Sequence, residues 1–292
     1  MNDDVKELIK YVCSNDVVRA KEKAKIMLLK DNTQKDRIFC ERMIAQMETK
    51  KDFLELPSNI SGLLTMEDVS KSFNDERYFL SERELKALGR ILKISKVSDA
   101  LLEKGICYIN SSLLYGESGT GKTTFGKYIS YRLEKPFAYM NISQIIDSYL
   151  GATNKNISRV FEYVNNHRCV FMIDEIDAIG IRRGQDQLGE MSRIVIGLMQ
   201  NLDNLSPNVT LIAATNRKDQ LDEALLRRFS LQHKVERLSE NERRKMTEKF
   251  LRSVDFPYKE SWLNDFVSVD RTQAEIRNEL VMMIVNDMAS KM

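Results

Sequence analysis

The chain is expected to fold as an α/β protein, with a five-stranded parallel sheet carrying helices on both faces. Three observations predict it. From Ser112 onward, short apolar runs alternate with amphipathic stretches, the pattern that βαβ units produce. A glycine-rich loop, Gly116-Glu117-Ser118-Gly119-Thr120-Gly121-Lys122-Thr123, stands between one such run and a helix-spaced segment. After Leu238 the pattern turns helical to residue 292, which adds a small helical lid behind the sheet domain.

Taken in order, residues 1–53 read as a small helical bundle. Val5, Leu8, Ile9 and Val12 fall at i, i+3, i+4 and i+7, one buried helix face. Ser14-Asn15-Asp16 breaks the pattern, and a second helix follows with Ala20, Ala24, Met27 and Leu28 on its apolar side. Thr33 and Asp36 resemble a capping box ahead of a third stripe, Cys40, Met43, Ile44 and Met47. Three short helices of this kind make an antiparallel bundle, expected to dock a partner or a substrate. Residues 54–77 read as a linker, with Pro57-Ser58-Asn59 and Ser61-Gly62 as breakers. The large domain is expected over 78–237. It opens with a capping box at Ser81 and Glu84 and a helix facing inward through Leu85, Leu88, Ile91 and Leu92. Strands are expected at 113–115, 137–140, 169–173, 209–213 and 232–235. The lid, 238–292, takes helices near 241–254, 262–267 and 272–288.

Composition narrows the function classes. A chain of 292 residues, 42% apolar and 30% charged, has the balance of a soluble globular protein. Its net charge of +2 supplies no field for nucleic acid or an anionic membrane. No apolar run approaches the roughly 18–20 residues that span a bilayer, and the acidic N-terminus lacks a signal-peptide shape. The four cysteines are scattered, which points to reduced thiols and a cytoplasmic location. With only His167 and His233, a two-histidine zinc protease site is ruled out.

The glycine-rich loop reads as a phosphate-binding loop. Its backbone N–H groups, from Gly116 to Thr124, would turn inward around the phosphates of ATP, and the helix N-terminus adds its positive end. Lys122 would reach the β- and γ-phosphates, and the Thr123 hydroxyl would sit on Mg²⁺. About fifty residues on, an apolar strand ends in Asp174-Glu175. Asp174 suits Mg²⁺ held through water, and Glu175 a general base for the attacking water. Asn216, after the next strand, can orient that water. Arg227 and Arg228 end a short helix, and beside a nucleotide site they suit fingers reaching the γ-phosphate of a neighbouring subunit. A finger lent across a boundary implies a closed homo-oligomer.

The order of these elements over about residues 111–235 resembles the AAA+ ATPases, and within them the AAA branch of spastin- and katanin-type enzymes and bacterial stand-alone unfoldases. The stretch Asn216-Arg217, Leu221-Asp222-Glu223-Ala224 and Arg227-Arg228-Phe229 looks like that branch's second region of homology. The resemblance implies a sensor-1 role for Asn216, finger roles for Arg227 and Arg228, and six subunits around a central channel. Tyr149-Leu150-Gly151 resembles the aromatic–hydrophobic–glycine pore loop of protein-translocating members, and residues 182–189 a second pore loop. The implied activity is a Mg²⁺-dependent ATPase that threads a protein substrate, with an adaptor or separate peptidase docking on the N-terminal bundle.

Some residues depart from the family pattern. Glu117 and Ser118 stand where the phosphate loop usually has prolines. No adenine-side aspartate–glycine segment is recognisable before Tyr78. Residues 273–277 align loosely with the family's Gly-Ala-Asp segment, and Arg277 reads either as a sensor-2 residue or as a surface arginine. Two classes compete with this reading: a nucleic-acid-linked helper ATPase for transposition or replication, and an assembly platform that binds ATP to lock a ring. The even mix of charges and the aromatic pore position argue against the first. Glu175 argues against the second.

Overall fold

The computed structural model describes residues 3–14, 16–30, 39–40, 43–44, 56–148, 152–181 and 188–290. Its strands are β1 (Thr65–Glu67), β2 (Asn110–Tyr115), β3 (Phe137–Asn141), β4 (Val170–Asp174), β5 (Thr210–Thr215) and β6 (Leu231–Lys234). They form one sheet in the order β1-β3-β4-β5-β2-β6. The five expected strands run parallel. β1 adds a sixth, pairing antiparallel with β3 through Thr65–Tyr139 and Glu67–Phe137.

β1 corrects the linker expected at 54–77. Ile60, Leu63, Leu64 and Met66 are buried in the main core, and Glu67 bonds Lys127 at 2.6 Å. The breakers Pro57 to Gly62 form turns, and the apolar residues among them fold back on the sheet. Asp68 then caps a helical turn, α3 (Val69–Ser72).

The apolar run of β4 serves two faces, as a strand covered on both sides must. Phe171 and Ile173 face a core built with Ile157, Phe161 and Leu198, while Val170 and Met172 face one built with Ile91, Phe125 and Ile129. The first layer comes from α6 (Ile142–Ser148), α7 (Thr153–Asn165), α8 (Ala178–Ile181) and α9 (Leu188–Asp203). The second comes from α4 (Glu82–Glu103) and α5 (Lys122–Leu133), with α4 starting at the expected Ser81–Glu84 capping box. Its inward face is Ala87, Leu88 and Ile91, while Leu85 is exposed, unlike the expected stripe. The buried face instead takes in Glu84, whose capping-box bonds to Ser81 satisfy it there.

β5 leads into α10 (Glu223–Leu226) and then β6. α11 (Glu240–Arg252), α12 (Glu260–Ser268) and α13 (Gln273–Ser290) enclose their own small core of Phe250, Leu251, Ile276 and Leu280. At the other end, α1 (Asp3–Cys13) and α2 (Val17–Lys30) pair, with Lys23 on Asp4 at 2.8 Å. α1 buries none of its residues. Of the third N-terminal helix, residues 39–40 and 43–44 are helical, while Thr33, Asp36 and Met47 lie outside the described residues. No helix among the described residues is long and apolar enough to cross a membrane.

If the β1 segment belongs to the core, Met66→Ala should cost about 2–4 kcal/mol, as other buried Met→Ala changes do. Urea unfolding of the full chain followed by fluorescence checks it. A change within about 0.5 kcal/mol would mean that this segment only lies on the surface.

Candidate active site

The loop joining β2 to α5 is shaped by two glycines. Gly116 has φ +150°, and a Cβ placed there would lie 2.1 Å from the Val235 carbonyl oxygen. Gly121 caps α5 in the left-handed region at φ +92°. Between them the Thr120 hydroxyl donates to the Glu117 carbonyl at 2.8 Å, holding the loop closed on itself. Ser118 and Thr124 are exposed.

Lys122 lies back along its own loop. Its ammonium donates to the carbonyls of Gly116 (2.9 Å) and Glu117 (2.8 Å) and to Asn216 Oδ1 (2.7 Å). Burial pushes its pKa down, while Asp174 and Asp177 pull it up. The loop lysine and the Asn216 amide, 94 positions apart, are thus in direct contact.

Asp174 ends β4 beside the start of α5. Its Oδ2 accepts from the Thr123 hydroxyl at 2.9 Å and from Tyr139 Oη at 3.3 Å, and its Oδ1 accepts from the Glu175 backbone N–H at 3.0 Å. Burial, and then the charge of Asp174, push the Tyr139 phenol up to about 12, so it stays a donor. Thr123 and Asp174 are hard oxygen donors aimed at one point, a fit for Mg²⁺, which prefers one or two carboxylates and its own water. No group of three or more His, Cys, Asp or Glu among the described residues could hold a metal without further oxygens.

Glu175 takes φ +54°, a region that non-glycine residues occupy rarely and mostly under constraint. The constraint is visible. The Ile176 N–H donates to the Ala214 carbonyl (3.1 Å), and the Ala178 N–H to the Glu175 carbonyl (2.9 Å). Buried behind it, the Thr215 hydroxyl donates to Asp177 Oδ1 at 2.8 Å and accepts from the Arg217 N–H at 2.9 Å. This pair ties the end of β4 to the end of β5. Asp177 has no signature in the sequence, because its partner Thr215 lies 38 positions away on the next strand.

Arg227 and Arg228 differ. Arg228 is held within its own chain, with Nε and Nη2 each 2.8 Å from Asp203 and Nη1 2.7 Å from the Ala224 carbonyl. Arg227 makes one contact, to Glu223 at 3.3 Å, and its side chain is 79% exposed. Tyr149, Leu150 and Gly151 lie outside the described residues, as do residues 182–187 of the second expected pore loop.

The lid reaches the loop through the start of α13. The Ala274 N–H donates to the Gly119 carbonyl at 3.0 Å. Thr272 and Glu275 form a capping box there, and its bonds hold the Glu275 carboxyl below its usual range. Arg277 is exposed on the same helix.

Residues 112–237 match the model of the family described as ATPase family associated with various cellular activities (AAA). The chain is 32% identical over 205 residues to the probable 26S proteasome regulatory subunit 10B of Caenorhabditis elegans, covering 67% of this chain and 50% of that one. It is 38% identical over 146 residues to the 26S proteasome regulatory subunit 10B of Dictyostelium discoideum, covering 48% and 37%. With the peroxisomal ATPase PEX6 of Candida glabrata it shares 35% identity over 153 residues, covering 46% and 15%. The chain thus spans half or less of the length of these relatives.

The tight approach at Gly116 makes a direct prediction. Gly116→Ala should force the loop off Val235 and lower the thermal midpoint by several degrees, since about 1 kcal/mol moves a domain of this size by roughly 2–4 °C. Differential scanning calorimetry reads it, and an unchanged midpoint would show that the loop yields without cost.

Proposed function

The chain belongs to the AAA+ ATPase superfamily, and from that premise we propose that it hydrolyses ATP with Mg²⁺ and couples turnover to remodelling of a protein substrate. What carries this is the meeting of residues from three sequence-distant segments. Lys122 touches Asn216, and Thr123 touches Asp174, with Glu175 next in the chain. A structural ion pair would need none of the others.

In this proposal the loop N–H groups and Lys122 bind the β- and γ-phosphates, Lys122 exchanging its carbonyl partners for phosphate oxygens. Glu175, fixed by its constrained backbone, takes the proton of the attacking water, and the Asn216 amide orients that water. Mg²⁺, held by the Thr123 hydroxyl and by Asp174 through water, supplies charge neutralisation at the phosphates when bound. Arg227 is the finger presented to the neighbouring subunit, in a homohexameric ring. Arg228, occupied by Asp203, braces the helix that carries it. Tyr149, with Leu150 and Gly151, grips an extended polypeptide in the central channel, where an aromatic ring suits sequence-blind holding. The N-terminal helices select the substrate, an adaptor or a peptidase. The relatives named for the proteasome and the peroxisome favour protein over nucleic acid as the substrate.

Native mass spectrometry of Glu175→Gln with Mg²⁺-ATP should give six subunits, and a stable monomer would remove the role given to Arg227. In the assembled particle Arg227→Ala should lower ATP turnover by about 10³-fold, the scale of finger loss elsewhere. Arg228→Ala should lower it less and should reduce thermal stability. Equal turnover losses with intact stability would make both arginines fingers. Tyr149→Ala should keep ATP turnover while abolishing unfolding of a protein substrate, and parallel loss of both would make Tyr149 a packing residue.

A further inference from the structure

The phosphate loop carries a carboxylate of its own. The Glu117 carbonyl accepts from Lys122 and Thr120, so its backbone belongs to the loop's inner frame. Its side chain is 64% exposed and turns to Arg237, which follows β6, with Nε 2.7 Å from Glu117 Oε2. Arg237 also reaches the lid, donating from Nη1 to Asp270 Oδ2 at 3.2 Å. Asp270 is fixed in turn by the buried Arg243, which donates to its Oδ1 at 3.0 Å and to the Val267 and Leu238 carbonyls. Charges therefore alternate along Glu117, Arg237, Asp270 and Arg243, from the loop into the lid. The same junction carries the Ala274–Gly119 backbone bond.

Exposed ion pairs contribute little to stability, so the row is not explained as glue. Beside a polyphosphate a charge acts differently, because it is felt by every phosphate charge at once. An unpaired Glu117 would repel the ligand its own loop must enclose.

We propose that Arg237 is a positioning residue of the nucleotide site: it neutralises Glu117, so that a loop bearing a carboxylate still accepts a polyphosphate. Asp270 anchors that guanidinium from the lid side. The proposal rests on the nucleotide-binding reading given above.

Mg²⁺-ADP titrated calorimetrically into the full chain tests it, at low and at high salt. Arg237→Gln should bind about three- to tenfold more weakly at low salt, with the gap closing at high salt as screening sets in. Glu117→Gln, which leaves Arg237 uncovered, should bind about two- to fivefold more tightly at low salt. The double variant E117Q/R237Q should return to within about twofold of wild type, because the pair's charges cancel. Arg237→Lys, which keeps the charge, should retain binding, and it covers the case in which the glutamine variant does not fold. An Arg237→Gln protein that binds like wild type, or a double variant as weak as R237Q alone, overturns the proposal. Wild type that binds no nucleotide would instead sink the ATPase reading, and this inference with it.

Discussion

The site depends on the register of four neighbouring strands. Ile173 of β4 pairs with Ala213 of β5, and Tyr115 of β2 pairs with Thr215 of β5 and with Lys234 of β6. Gly116, Glu175, Asn216 and Val235 therefore emerge side by side at one edge of the sheet. Because β2 lies between β5 and β6, the chain order reverses there, and the loop opens into the crevice where doubly wound sheets receive ligands. A slip of one residue would turn Asp174 away from Thr123 and drive the apolar side chains of β4 onto the wrong faces.

Around those strand ends, uncharged hydroxyl donors hold the carboxylates in place. Thr215 bridges β4 and β5 by accepting from one backbone and donating to a buried carboxylate. Tyr139 holds Asp174 from the neighbouring strand as a donor that burial keeps protonated. The lid adds one backbone bond to the loop and a self-contained capping box. Its apolar core is separate from the two that cover the sheet.

Much of this could be read from the sequence, for a physical reason. Phosphate and metal chemistry demands particular residue types within a few positions of each other, so the loop, Asp174, Glu175 and Asn216 stand out locally. Four of the five parallel strands are equally plain as bounded apolar runs, while β6 is mostly polar. What escaped depends on partners far away in the chain. Ile60, Leu63 and Leu64 sit among turn formers, so the local pattern gave a linker, although the sheet needed their side chains. The adjacent Arg227 and Arg228 look alike until Asp203 captures one of them. The inward face of α4 includes Glu84 and leaves Leu85 out, which a capping-box motif alone does not disclose. The row from Glu117 to Arg243 spans three segments and has no local signature.

One contact at the far end of α5 links the site to the front of the chain. That helix begins at Gly121 in the loop and closes at Glu134, a left-handed C-cap whose carboxylate meets Arg19 of α2 at 3.1 Å. A 12-residue helix is a rod of about 18 Å, so the glycine-rich loop and the Arg19 contact stand one helix length apart. The hairpin of α1 and α2 thus meets the site's own helix at the end away from the loop, through one exposed ion pair.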